Sequence, residues 1–161
     1  MNHFQLKSFY FLRHGQTDWN KNQSGLCADD DIELNAVGIE QAKQAAELIV
    51  SLSLPINDIC SSPLRRAMQT AEHVGAATEL AVQQCAGLAS VDLVNIKQAM
   101  NAILADHEYV LIVSHGEVYR QLLILLSVQT EHANAANGGL YCFVAPSDMD
   151  GAWTVQAVEK E

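Results

Sequence analysis

Positive charge is scarce in this 161-residue chain. Nine Lys and Arg residues stand against 19 Asp and Glu, a formal net charge of −10. A surface this acidic repels phosphate backbones and anionic headgroups, so neither nucleic acid nor a membrane is expected as a partner. Charged residues of both signs make up only 17% of the sequence and apolar residues 49%. That balance fits a packed globule rather than a disordered chain. No apolar run approaches membrane-spanning length, and no leader of the secretory type opens the sequence, so a cytoplasmic protein is expected. The four cysteines, Cys27, Cys60, Cys85 and Cys142, form no CxxC pair. A zinc knuckle and a thioredoxin-like motif are thereby disfavoured, and buried free thiols in reducing surroundings are the simplest reading. HxH, HExxH, the GxSxG elbow and the P-loop are all missing. No metal and no cofactor is expected.

Against this background the arginines stand out. There are four, Arg13, Arg65, Arg66 and Arg120, and each lies in or beside a segment with catalytic residue types. The first segment is Arg13-His14-Gly15, which ends the apolar run Ser8-Phe9-Tyr10-Phe11-Leu12. A short apolar run closed by a turn residue reads as a buried strand ending in a loop. In an open α/β sheet, ligands bind at the carboxyl ends of the strands.

The rest of the chain alternates in the same way. Residues 8–13 predict the first strand, followed by a polar loop over 17–35 that contains the run Asp29-Asp30-Asp31, read as solvated. Asn35 is placed to cap a helix over 35–52, with Ile39, Ala42, Ala46 and Ile49 on one face. Residues 56–61 predict a second strand. Ser62-Pro63 then reads as an N-cap followed by proline at the first helical position, opening a helix to about residue 75. Residues 80–84 predict a short edge strand. Leu93, Ile96, Met100 and Ile103 define an amphipathic helix. Residues 109–114 form another apolar run, which ends in His115-Gly116, and 118–128 a strongly apolar helix. Residues 140–145 and 153–158 predict two closing strands. Alternation of strands and helices predicts an α/β fold, a three-layer sandwich whose mostly parallel central sheet is flanked by helices. Without a repeat or linker, residues 1–161 read as a single domain.

Three strand-to-loop segments converge in that fold: Arg13-His14-Gly15 with Thr17 and Asn20 beyond it, Ser61-Ser62-Pro63-Leu64-Arg65-Arg66, and Ser114-His115-Gly116. They bring together guanidinium forks, two imidazoles, an amide and a helix start. Guanidinium forks bind the non-bridging oxygens of a phosphoryl group in bidentate fashion. Helix-start N–H groups add partial positive charge. A neutral imidazole is a competent nucleophile toward phosphorus. The set therefore points to phosphoryl transfer. Arginine companions repel a metal ion, which tells against a metal site.

The stretch Arg13-His14-Gly15-Gln16-Thr17-Asp18-Trp19-Asn20 closely resembles the RHGxTxxN signature of the histidine phosphatase superfamily, also called phosphoglycerate mutase-like. Leu34 to Gly38 with Gln41-Ala42 resembles its LTxxGxxQA segment, with Asn35 in place of Thr. Ser61 to Ala71 is similar to SSPLxRAxQTA, and Ser114-His115-Gly116 to the late SHG. The four segments occur in family order over roughly residues 9 to 120. The resemblance implies that His14 is the nucleophile, phosphorylated during turnover. It assigns Arg13 and Arg66 as phosphate-binding arginines and His115 as the second catalytic histidine. Gly15, Thr17, Asn20 and Gly116 fall at positions that line the phosphate pocket. Arg65 then reads as a neighbour on the outer rim, because adjacent helical residues face different ways. Trp19 reads as a packing residue. Arg120 is open between helix packing, an ion pair and substrate contact. His3, His73, His107 and His132 fall in no motif and read as surface or cap residues.

One departure bears on the chemistry. Many members of that family carry a Glu after the mid-chain edge strand that protonates the leaving group, and Ser90 occupies the position here. Asp92 is the candidate proton donor in its place, with Glu117 and Asp18 as alternatives. Loss of a general acid costs roughly 10²–10⁴-fold on poor leaving groups. The expected activity is metal-independent hydrolysis of a small phosphorylated substrate. Mutase activity is not expected, because this length leaves no room for the mutases' insertions. The alternatives are a phosphatase acting on a phosphohistidine protein, as the small bacterial enzymes of the superfamily do, and a phospho-ligand binding module without turnover.

Overall fold

The first apolar run forms strand β1, Phe9–Arg13, and its alternation feeds two cores. Phe9 and Phe11 enter one apolar cluster, while Leu12 enters a second and Tyr10 packs against it. Period-two alternation places successive side chains on opposite faces of a sheet. Strand β4, Val110–Ser114, is buried along its whole length. It divides likewise, Val110 and Ile112 on the Phe11 side and Leu111 and Val113 on the Leu12 side. The computed structural model describes residues 4–22 and 31–160. His3, Cys27, Asp29 and Asp30 lie outside the described residues.

Helices cover both faces. Helix α2, Ala36–Ser51, and α3, Arg65–Thr78, supply Ala45, Ala46, Ile49, Ala67, Ala71 and Val74 to the Leu12 side. Helix α4, Leu93–Asp106, and α5, Gly116–Leu125, supply Ile96, Met100, Tyr119 and Leu122 to the other. The remaining strands are β2 (Asp58–Ser61), β3 (Val82–Gln84), β5 (Leu140–Val144) and β6 (Thr154–Ala157). The sheet order is β3-β2-β4-β1-β5-β6. Strands β3, β2, β4 and β1 run parallel, β5 is antiparallel to β1, and β6 is antiparallel to β5. The expected three-layer α/β sandwich with a mostly parallel sheet is what forms. Among the described residues no helix is long and apolar enough to cross a membrane.

Several local expectations need correction. A short helix, α1 (Asp18–Asn22), opens the stretch read as a loop. Thr17 and Asn20 exchange hydrogen bonds across its first turn, which lets a polar segment form a helix without an apolar stripe. Asp31 is not merely solvated, since its Oδ1 accepts from the backbone N–H of Arg65 at 2.7 Å. Helix α3 begins at Arg65 after Leu64, not at Pro63. The Ser62 hydroxyl oxygen still accepts from the N–H of Leu64 at 3.3 Å, so the serine works as a turn residue just ahead of the helix. Ile39 of α2 is 37% exposed, and Gly38 and Ala45 take its place on the buried face. Helix α5 begins at Gly116, directly on the end of β4, and stops at Leu125. A 3₁₀ turn, Ala86–Ala89, not foreseen from the pattern, buries Leu88 between β3 and α4. Cys60 is a buried free thiol, whereas Cys85 and Cys142 are only half-buried.

This topology positions the site. The chain leaves β1 toward α2 on one face and leaves β4 toward α5 on the other, although the two strands are neighbours. Between such strands the loops part and leave a crevice at their carboxyl ends. Register aligns the ends: Arg13 pairs with Ser114, and Ser61 with Val113. His14 and His115, the next residues of β1 and β4, therefore emerge at the same level, with Ser62 one step back beside Ser114.

Candidate active site

A cavity of about 310 Å³ opens at that crevice, lined by Arg13, His14, Thr17, Asn20, Arg66, His115 and Gly116, with Trp19, Ile32, Glu117, Arg120, Asn134 and Ala135 around them. The three sequence segments thus meet. Arg13, His14, Arg66 and His115 come together as expected, as do Thr17, Asn20 and Gly116, whereas Gly15 lies behind the wall.

His14 is 3% exposed. Its Nδ1 stands 2.7 Å from the carbonyl oxygen of Gly15. A carbonyl can only accept, so Nδ1 carries the proton and Nε2 keeps the lone pair. Burial, then the neighbouring His115, hold the His14 pKa well below its ordinary value. The ring is therefore neutral and nucleophilic at Nε2.

His115 is 9% exposed. Its pKa is lowered to about 3 by burial first, then by the positive charges of Arg66 and Arg13. Its Nε2 lies 2.8 Å from the Ser62 hydroxyl, and its Nδ1 is buried without a hydrogen-bond partner among the described residues. Arg13 donates from Nη1 to the carbonyl of Ala135 at 2.7 Å, while its Nε is likewise buried and unpartnered. Buried polar groups ordinarily find partners. Two buried orphans on adjacent side chains, among guanidinium charges, suit an anionic acceptor.

The neighbouring backbone is clamped from several directions. The N–H of Gly15 donates to Thr70 Oγ1 at 3.0 Å, and that hydroxyl donates to the carbonyl of Arg66. The RHG turn is thereby tied to the first turns of α3. Gly15 and Gly38 allow two backbones to touch: a Cβ on Gly15 would collide with the Gly38 carbonyl, and one on Gly38 with the Gln16 carbonyl. Gln41 Oε1 accepts from the N–H of Gln16 at 2.8 Å and secures the same contact. On the other side, the N–H of Gly138 bonds to the carbonyls of Arg13 and His14. Gly138 has φ +71, a conformation that favours glycine. Asn137 Nδ2 donates to the His14 carbonyl at 3.3 Å and to Asn20 Oδ1 at 3.4 Å. That oxygen also accepts from the N–H and the hydroxyl of Thr17. Asn20 is left with its amide NH₂ as the donor for the cavity. A Cβ on Gly116 would lie 3.2 Å from Arg13 Cζ and Nε, so glycine there makes room for the guanidinium.

Asp92 is not brought to the site. It is exposed, and its carboxylate caps α4, accepting from the N–H groups of Val94 and Asn95 at 2.8 and 3.2 Å. Asp18 is also absent from the lining. Among the described residues Glu117 is the carboxylate on the wall, and it is ion-paired with Arg120, one helical turn on. Arg120 also reaches Asn134 Oδ1 at 3.3 Å. Trp19, expected to pack, is 37% exposed on the cavity wall. Arg65 points away to Glu33, in keeping with a rim position. His107 caps the end of α4 and faces Asp58 at 3.1 Å. Ser62, Gly38, Thr70 and Gln41 all sat inside the recognised segments, yet their roles needed the third dimension. Asn137 and Ala135 carried no sequence signal.

Residues 9–99 match the histidine phosphatase superfamily (branch 1). A protein named agropine synthesis reductase from Rhizobium rhizogenes is 29% identical over 171 residues, 86% of this chain and 39% of its own. The uncharacterized phosphatase PhoE of Bacillus subtilis is 46% identical over 61 residues, 38% of this chain and 30% of its own. The chain thus spans well under half the length of these relatives. In three dimensions it is similar to a mycobacterial glucosyl-3-phosphoglycerate phosphatase solved with VO3, with a TM-score of 0.76 at 22% identity over 96% of this chain and 98% of that one. That likeness concerns the fold.

Proposed function

The chain belongs to the histidine phosphatase superfamily, and from that premise we propose that it hydrolyses a phosphomonoester through a covalent phosphohistidine on His14. The observation that carries this reading is the Nδ1 contact of His14 with the Gly15 carbonyl. It leaves a buried, neutral Nε2 lone pair between Arg13, Arg66 and His115.

In the first step Nε2 attacks phosphorus as the bond to the leaving oxygen breaks. Arg13, Arg66, the Asn20 amide and His115 hold the non-bridging oxygens, where charge develops. The leaving oxygen takes a proton, for which Glu117 is the carboxyl group at hand. In the second step water attacks phosphorus and passes a proton to the carboxylate left by the first step, the P–N bond breaks, and inorganic phosphate leaves a regenerated imidazole. No step is routed through a metal, because three guanidinium groups line the cavity and repel one.

The substrate we favour is a small phosphorylated compound that fits the space lined by Trp19, Ile32, Glu117, Arg120 and Asn134. A phosphohistidine protein is the second reading. It draws support from the engagement of Glu117 with Arg120, since a phosphoramidate leaves with less acid assistance than an alkoxide.

The test is alkaline quenching during turnover of p-nitrophenyl phosphate, followed by peptide mass spectrometry. Base-stable, acid-labile phosphate on His14 is expected, together with inactivity of His14→Ala. Turnover without phosphate on His14, or full activity in His14→Ala, overturns the reading.

A further inference from the structure

The proton of a neutral histidine sits on one of two nitrogens, and the partner of the other decides which. For His115 that partner is Ser62. The Ser62 side chain is fully buried. Its oxygen already accepts from the N–H of Leu64 at 3.3 Å, and its other contact is His115 Nε2 at 2.8 Å. Among the described residues the hydroxyl hydrogen thus has one acceptor, the imidazole Nε2. Were Nε2 protonated instead, a buried hydroxyl hydrogen would be stranded, at a cost of roughly 1–3 kcal/mol. In addition, Nδ1 would turn a lone pair toward the anion that Arg13 and Arg66 attract.

We propose that Ser62 is a positioning residue that fixes the tautomer of His115, holding the proton on Nδ1 so that the ring offers an N–H, not a lone pair, to a bound phosphoryl group. Three observations converge on it. Strand register brings Ser62 beside the start of the His115 turn, since Ser61 pairs with Val113, which sets Ser62 next to Ser114, the residue before His115, and the N–H of Ser62 donates to the carbonyl of Val113. The ring nitrogen left over is a buried atom without a partner. The ring is also neutral, so it has a single proton to place. Ser62 thereby acts through His115 and touches no substrate. The tautomer itself is a property of the resting protein. Its consequence for phosphoryl transfer rests on the phosphatase reading above.

The experiment is a long-range ¹H–¹⁵N correlation spectrum of the histidine-labelled protein near neutral pH, with His115 assigned from the His115→Gln spectrum. The expected pattern is protonated Nδ1 and unprotonated Nε2. Ser62→Ala should lose that preference and give a mixture or the Nε2–H form. Its affinity for inorganic phosphate should fall about tenfold, the scale of one neutral hydrogen bond. Ser62→Thr, which keeps the hydroxyl, should retain the wild-type pattern. An Nε2–H signature in the wild-type protein overturns the proposal without any variant. So does a folded Ser62→Ala protein whose tautomer is unchanged. A protein with the expected tautomer but no phosphohistidine on His14 would sink the phosphatase reading and leave the Ser62 assignment standing.

Discussion

The imidazoles of His14 and His115 stand edge to face, with centroids 5.2 Å apart and planes inclined at 62°. Both are buried, and both are held neutral by that burial, aided by His115 beside His14 and by Arg66 and Arg13 beside His115. Unfolded, each ring would take a proton as pH falls below about 6.5. Folded, His115 resists protonation until about 3, and His14 is likewise depressed. Between those limits the unfolded chain binds more protons. Stability therefore rises with pH up to about 6.5 and is lost below it, by at most about 1.4 kcal/mol per pH unit for each ring. Denaturant unfolding across that window should show a shallower slope in His115→Gln than in the wild type. An NMR titration should find neither ring protonating near 6.5, and a ring that does so would contradict the arrangement.

Arg13 and Arg65 should separate cleanly. Arg13 combines an anchored Nη1 with a buried, unpartnered Nε. A lysine reproduces the charge but not the fork. In Arg13→Lys, kcat/KM for p-nitrophenyl phosphate should fall by about 10²-fold or more. Arg65 lies outside the cavity lining and pairs with Glu33. Exposed pairs of that kind contribute little, so Arg65→Lys should stay within about twofold. Equal losses in the two variants would refute the division of labour.

Gly38→Ala tests the backbone contact behind the nucleophile. Its added methyl meets the Gln16 carbonyl, which cannot move without shifting the RHG turn. Overpacking of this sort costs about 1–3 kcal/mol. We expect that loss in urea unfolding, together with lower activity per folded molecule, because His14 is carried by the displaced strand end. Wild-type stability in this variant would show that the two segments are not closely packed.

The layers, the buried strands and the pocket's four central residues were legible because each rests on a local pattern. Apolar runs ended in Arg13-His14 and Ser114-His115, and Asn35 stood where a helix needed a cap. What escaped the sequence depends on distance through space. The Thr17–Asn20 exchange makes a helix of a segment with no apolar period. Leu64 displaced Ser62 as the residue before α3, since the Ser62 hydroxyl is engaged by His115. Asn137 reaches the His14 carbonyl across a separation of 123 residues, which no short motif encodes. Asp92 is the instructive error. It lies within a few residues of Ser90, yet an aspartate ahead of an amphipathic run is also what a helix cap looks like, and capping is the role it fills.

That error sets up a comparison of two carboxylates. Asp92→Ala should lose about 0.5–2 kcal/mol of stability with its cap, and leave unchanged the ratio of rates on alkyl and nitrophenyl phosphates. Glu117→Gln should behave in the opposite way. If Glu117 protonates the leaving oxygen, the amide costs roughly 10²–10⁴-fold on alkyl phosphates. Nitrophenyl phosphate, whose leaving group departs as a stable anion, should be affected much less. Arg120→Gln serves as the control, because it breaks the same ion pair while sparing the carboxyl group. A loss shared by both substrates in Glu117→Gln and reproduced in Arg120→Gln would assign the pair to cavity shape. Should the alkyl-to-aryl ratio be unmoved in every variant, neither carboxylate supplies the proton. A phosphoramidate such as phosphohistidine, which asks less of an acid, would then displace the phosphomonoester as the substrate.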